Sequence, residues 1–134
     1  MDFITGGQFT DPRGLLRFVN DFDMKQIRRM YLIEPTFGQI RAWQGHKKEQ
    51  KWFFVLEGSF LIQTVSMQEQ QNRCKMIVLA EDNRVIHINS GNYNGFEALA
   101  EGSKLLVFSD QTIDEAASDD FRMNMEELAW NAWK

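Results

Sequence analysis

The stretch Arg41-Ala42-Trp43-Gln44-Gly45-His46-Lys47-Lys48-Glu49-Gln50, followed by the apolar run Trp52-Phe53-Phe54-Val55-Leu56 and by Glu57-Gly58-Ser59, decides how the rest of the chain is read. It has the form of two strands joined by a polar bend that carries the first histidine of the chain. Alternate residues of a strand share a face, so Gln44 and His46 are expected to point one way and Trp43 and Gly45 the other. A polar pair aimed into half-apolar β structure is a candidate site. Gly58 between two apolar runs is a hairpin signal, because glycine accepts the positive φ that tight turns demand.

Outward from this stretch, short apolar runs alternate with turn residues, which is the pattern of a β-sandwich or barrel. Strands are expected at about 14–19, 27–33, 38–44, 51–56, 59–65, 76–80, 85–88, 95–100 and 104–109, with polar connections at 68–73 and 81–84. Helix is expected only at the end, where Met125, Leu128 and Trp133 fit one helical stripe over 124–133. Asp119 and Asp120 would cap it. The fold class is therefore all-β, and the 134 residues fit a single domain with a core at about 14–110 and a C-terminal helix or tail at 114–134.

Composition narrows the function. With 43% hydrophobic and 13% aromatic residues the chain can fill one core. A net charge of -4 argues against nucleic acid as a partner, since phosphate-backbone binding needs clustered excess Lys and Arg. Local basicity at Arg41, Lys47, Lys48 and Lys51 still suits one small anion. No run approaches the ~20 apolar residues of a membrane span, so no membrane partner and a cytoplasmic location are expected. Cys74 is the single cysteine, which rules out an internal disulfide.

The spacing from Gly38 through Gln44, His46 and Gln50 to Gly58 resembles the first signature of the cupins, small jelly-roll barrels whose cavity is lined by two histidines one residue apart. Asn89-Ser90-Gly91-Asn92-Tyr93-Asn94 stands in the frame of the second signature, with Asn94 in place of its histidine. In a metal-binding cupin the donors would be at Gln44, His46, Gln50 and Asn94. Only one imidazole survives there, and three neutral amides are poor donors, so no metal and no other cofactor is expected.

Within the cupins, Arg41 to Lys48 resembles the Arg-Gly-x-His-x-His-Lys-Lys motif of the dTDP-4-keto-6-deoxyhexose 3,4-ketoisomerases. Arg28-Arg29-Met30-Tyr31 is similar to the basic and tyrosine-bearing segment ahead of that motif. Asp11-Pro12-Arg13-Gly14 and Gly91-Asn92-Tyr93-Asn94-Gly95-Phe96 resemble segments of the related dTDP-4-dehydrorhamnose 3,5-epimerases. The resemblance spans about 11–121 and implies an antiparallel jelly roll, a homodimer and a sugar-nucleotide ligand.

The resemblance implies His46 as the base of a keto-sugar proton transfer, Tyr31 as acid or orienting hydroxyl, and Gln44 as hydrogen-bond donor to the ketone. Arg41, Lys48, Arg13 and Asn94 would contact the substrate. Arg41 is out of phase with Gln44 and His46 on a regular strand, so it reaches the cavity only through a bulge or bend. The epimerase tyrosine near the last core strand has no counterpart in Ser109-Asp110-Gln111-Thr112-Ile113, which favours one-face isomerisation.

Blander readings stand beside these. A lone histidine is more often structural than catalytic, Lys47-Lys48 can be a solvated bend, and Trp43, Trp52, Phe53 and Phe54 are first of all core residues. His87 reads as packing or surface. Three functions remain open: an isomerase, a catalytically silent module that binds a sugar nucleotide or other small anion, and a structural partner of an active homologue.

Overall fold

The computed structural model describes residues 1–131. The strands are β1 (Asp2–Thr5), β2 (Gly7–Asp11), β3 (Gly14–Phe18), β4 (Arg29–Ile33), β5 (Ile40–His46), β6 (Lys51–Glu57), β7 (Ser59–Ser66), β8 (Arg73–Leu79), β9 (Arg84–Ile88), β10 (Asn92–Ala98), β11 (Lys104–Ser109) and β12 (Phe121–Arg122). They form two five-stranded sheets, ordered β1-β9-β6-β11-β4 and β12-β5-β10-β7-β8, and a two-stranded β2-β3 ribbon. The pairings are antiparallel throughout. This is an antiparallel β-sandwich, as the strand pattern implied, in the jelly-roll form that the resemblance implied.

Alternation places the core. Phe60 and Ile62 on β7 join Phe53, Val55, Ile86, Phe96, Leu105 and Val107 between the sheets. The next residues on β7, Leu61 and Val65, face outward beneath a second cluster built on Trp43, Leu128 and Trp130. Here the chain departs from expectation, because the described part of 124–133 is not helical. It runs as turns across the sheet: Trp43 Nε1 donates to the Leu128 carbonyl (2.6 Å) and Gln63 Nε2 donates to the Trp130 carbonyl (3.1 Å). Asn124 Oδ1 accepts the backbone N–H groups of Glu126 and Glu127, a local bond that competes with helix. Trp133 lies outside the described residues.

The one α-helix among the described residues, α1 (Ile113–Ala117), lies earlier and opens with a capping box between Thr112 and Glu115. A second correction concerns Gly58. It makes the expected positive-φ turn (φ 74°), but β6 and β7 do not pair, since they belong to opposite sheets. The turn carries the chain across the sandwich, and a Cβ at Gly58 would meet Ser103 Oγ at 2.1 Å. Strands β1, β2 and β12 were not anticipated. No helix among the described residues is long and apolar enough to cross a membrane.

Candidate active site

A cavity of about 590 Å³ opens between the sheets, walled by β4, β5, β6 and β10 and closed on one side by α1 and the segment leading into β12. Its reactive floor follows from strand alternation. Gln44 and His46 both line the cavity, and β5 carries one extra residue against β10, because Asn94 pairs with Gln44 while Phe96 pairs with Arg41. That bulge puts Arg41 in phase with the polar pair. The Arg41 guanidinium lies over the Phe96 ring, 5.9 Å from its centroid, with the side chain otherwise exposed.

His46 is 3% exposed. Its Nδ1 lies 2.7 Å from the Asp119 backbone carbonyl and 3.2 Å from Glu49 Oε1. A carbonyl only accepts, so Nδ1 carries the proton and Nε2 holds a lone pair. Nε2 is buried without a protein partner. Burial lowers the imidazole pKa and the Lys51 ammonium lowers it further, against the opposing pull of the Asp119 carbonyl and Glu49. The ring is therefore neutral near pH 7, and its unpartnered Nε2 belongs to a residue that lines the cavity.

Glu49 holds this arrangement from behind. Its side chain is fully buried, and Oε2 accepts from Arg29 (2.9 Å) and from the Ser109 hydroxyl. Asp119 fixes the bend itself: its carboxylate accepts the backbone N–H groups of Lys47, Lys48 and Glu49 at 2.8–2.9 Å. Burial alone would raise the Asp119 pKa, but these donors outweigh it and hold the carboxyl below its usual value. The pair Asp119-Asp120 thus follows α1 rather than capping a terminal helix.

Lys51 is the residue that motif reasoning passed over. The cupin spacing has Gln50 in the donor frame, yet Gln50 hydrogen-bonds Asp110 and His87, while Lys51 lines the cavity. Strand alternation explains the exchange. The Lys51 side chain is buried, and its Nζ donates to Gln44 Oε1 at 3.1 Å. Burial pulls its pKa down to about 8. Gln44 Nε2 in turn donates to Asp120 Oδ1 (3.3 Å), and Asp120 is paired with Arg122 (2.8 Å). Gln44 therefore has both ends of its amide engaged by the protein.

Tyr31 lines the cavity beside these groups, with Arg29 over its ring at 5.0 Å. Burial raises its phenol to about pKa 12, which keeps it a hydrogen-bond donor. Asn94 is buried in β10 and donates to the Gln44 carbonyl at 3.1 Å. Two expected contacts fall elsewhere. Lys48 is exposed on the far side of the bend, and Arg13 stands 89% exposed on the β2-β3 ribbon, paired with Asp11. Among the described residues no group of three or more His, Cys, Asp or Glu could hold a metal ion.

Known proteins with this fold share its proportions. A sugar 3,4-ketoisomerase from Thermoanaerobacterium thermosaccharolyticum, solved with TDP, is 23% identical, with 91% of this chain and 87% of that one covered at a TM-score of 0.70. The WlaRB TDP-quinovose 3,4-ketoisomerase of Campylobacter jejuni is 22% identical, covers 94% of both chains and has a TM-score of 0.73. The ChmJ 3'-monoepimerase of Streptomyces bikiniensis, in complex with dTDP, is 14% identical with a TM-score of 0.81 over 98% of this chain and 73% of that one. No curated protein sequence matches. At these identities the likeness is one of fold. The sequence itself matches one family model over residues 2–128, and the chain belongs to that family, described as FdtA: WxcM-like, C-terminal.

Proposed function

We propose that this protein is an isomerase of nucleotide sugars that moves the ketone of a dTDP-4-keto-6-deoxy sugar between C4 and C3. The observation that carries the reading is the buried, unpartnered Nε2 of His46, a residue that lines a cavity together with a buried ammonium and a phenol. Relatives of the same fold are 3,4-ketoisomerases, and one is solved with TDP.

His46 Nε2 removes the proton at C3, next to the ketone. The C–H electron pair forms the C3–C4 double bond and O4 takes the negative charge. Lys51 offers a cation to that oxygen in a dry site, where such a contact stabilises developing charge far better than in water. The hydroxyl proton passes from O3 to O4, with the Lys51 ammonium and the Tyr31 hydroxyl as donors beside the enediol. The imidazolium then returns its proton to C4, leaving the ketone at C3. One base on one face suffices. Glu49 and the Asp119 carbonyl hold Nδ1–H through both steps and stabilise the transient imidazolium. Arg41 and Arg122 at the rim suit the diphosphate.

Incubating the protein with dTDP-4-keto-6-deoxyglucose and following the sugar by NMR tests the reading. His46→Asn should lower turnover by about 10²–10⁴-fold, the usual worth of a general base, with dTDP binding retained. A second reading, a silent binding module, is favoured by Gln44, which replaces a motif histidine and is held by the protein on both sides. Binding of dTDP without any turnover would establish it. A homodimer and a cytoplasmic location belong to the same proposal. Met30 (61% exposed) and Leu32 (46%) on edge strand β4 support the first, and the lone Cys74 suits the second.

A further inference from the structure

We propose that Gln44 is a positioning residue, whose amide bridges the buried Lys51 ammonium to the Asp120 carboxylate and so aims the remaining Lys51 donors at the oxygen on which charge develops. The inference rests on the isomerase reading and deepens it. Gln44 stands where the sequence pattern has a histidine, and its expected part was a direct hydrogen bond to the ketone. The structure gives it other partners. Lys51 Nζ can only donate and a carboxylate only accepts, so the amide orientation is fixed by both neighbours: Oε1 toward Lys51 at 3.1 Å, Nε2 toward Asp120 at 3.3 Å.

The bridge answers a problem that the fold creates. Lys51 is only 4% exposed, and among the described residues the one hydrogen bond of its Nζ to protein is to this neutral amide. An ammonium carries three donors, and a buried cation left with spare donors is costly unless an oxygen arrives to take them. A flexible four-carbon stem would let it turn aside. The amide holds it, and behind the amide stands Asp120, which accepts two hydrogen bonds from Arg122.

The chain Lys51-Gln44-Asp120-Arg122 also bears on acidity. The charged and titratable groups around Lys51 come from every wall: Arg29 and Tyr31 on β4, His46 on β5, Glu49 in the bend, and Asp120 with Arg122 beyond α1. Glu49 and Asp120 favour the ammonium, whereas burial, Arg29 and Arg122 disfavour it. A neutral residue at 44 leaves that balance near neutrality, where a proton can be given and recovered. A carboxylate there would shift it toward the cation.

The test compares Gln44→Leu and Gln44→Glu with the wild type by turnover, dTDP affinity and the titration of the Lys51 side chain, followed by NMR of lysine labelled at Cε. In Gln44→Leu, kcat should fall by about tenfold or more with dTDP affinity unchanged, as expected when a catalytic group is misplaced but the site is intact. In Gln44→Glu the Lys51 titration and the alkaline limb of the rate profile should both move to higher pH, with kcat recovered in part. An unmoved Lys51 titration in both variants overturns the inference. So does a loss of dTDP affinity that accounts for the whole loss of rate, which would make Gln44 a direct ligand contact. If the wild type shows no turnover, the isomerase reading falls, while the Lys51 titration still decides the role of Gln44.

Discussion

Replacing Glu49 should damage stability and chemistry in separable ways. Its carboxylate is fully buried and joins Arg29, Ser109 and His46. Truncation in Glu49→Ala strands the Arg29 guanidinium, and loss of one partner of a buried pair costs about 3–5 kcal/mol. The Arg29 side chain is 22% exposed, so water can reach it and the lower end applies, about 3 kcal/mol. Unfolding entropy for a chain of 134 residues converts each kcal/mol into about 3–4 °C, so the midpoint should drop by about 10 °C. Glu49→Gln keeps the shape and an acceptor for Arg29, and trades charge-assisted bonds for neutral ones at a cost of about 1–2 kcal/mol.

The chemistry separates the two effects further. Glu49 raises the His46 pKa, so Glu49→Gln should lower it and weaken the base while Nδ1–H stays on the Asp119 carbonyl. Thermal unfolding by circular dichroism gives the stability, and the acid limb of kcat/KM gives the base. The reasoning is refuted if Glu49→Ala unfolds with the wild-type midpoint, or if Glu49→Gln leaves that acid limb in place.

The remaining predictions are these. The wild-type kcat/KM profile should be bell-shaped, with an acid limb below the ordinary histidine value of 6.5, because burial holds His46 neutral, and an alkaline limb at about 8 from Lys51. Stability should follow the same groups. His46 and His87 both have depressed pKa values, so the unfolded chain binds more protons below about pH 6.5 and the fold should weaken there, as urea midpoints between pH 5 and 7 would record. Arg41→Gln should weaken dTDP binding in calorimetry, whereas Lys48→Ala should not, since that side chain lies outside the cavity. Asp119→Ala strands the N–H groups of Lys47, Lys48 and Glu49, and should cost at least about 2 kcal/mol in denaturant unfolding.

Much of this architecture is legible in the sequence, and the exceptions have physical causes. Alternation and turn residues locate β3 of the ribbon and the main-sheet strands β4 to β11, and Gln44 and His46 share the face that alternation assigns them. Arg41 was expected to need a bulge, and β5 has one. The short edge strand β1 and the two-residue β12 carry too few residues to show a period. The apolar spacing of Met125, Leu128 and Trp133 fits a helical stripe, but Leu128 and Trp130 serve instead as plugs over the outer face of a sheet. The capping box Thr112 to Glu115 was the available signal for α1.

The site was legible only where it is local. His46 stands out in its motif, but what makes it a base is a carbonyl 73 residues away, which no local pattern encodes. Glu49 reads as part of a polar bend until the fold buries it, and Lys51 reads as one of several basic residues until β6 turns it inward. Conversely, Arg13 and Lys48 match a motif by position, but they stand exposed in the connections β2-β3 and β5-β6.

The central claim is that His46 takes a proton from the carbon beside the ketone. Incubation of wild-type protein and His46→Asn with dTDP-4-keto-6-deoxyglucose in deuterated water, followed by proton NMR, tests it most directly. The account predicts a migrated ketone with deuterium at C3 or C4 for the wild type and neither for the variant, with dTDP bound equally by both. Tight dTDP binding by the wild type without exchange, or exchange that survives in His46→Asn, would contradict it.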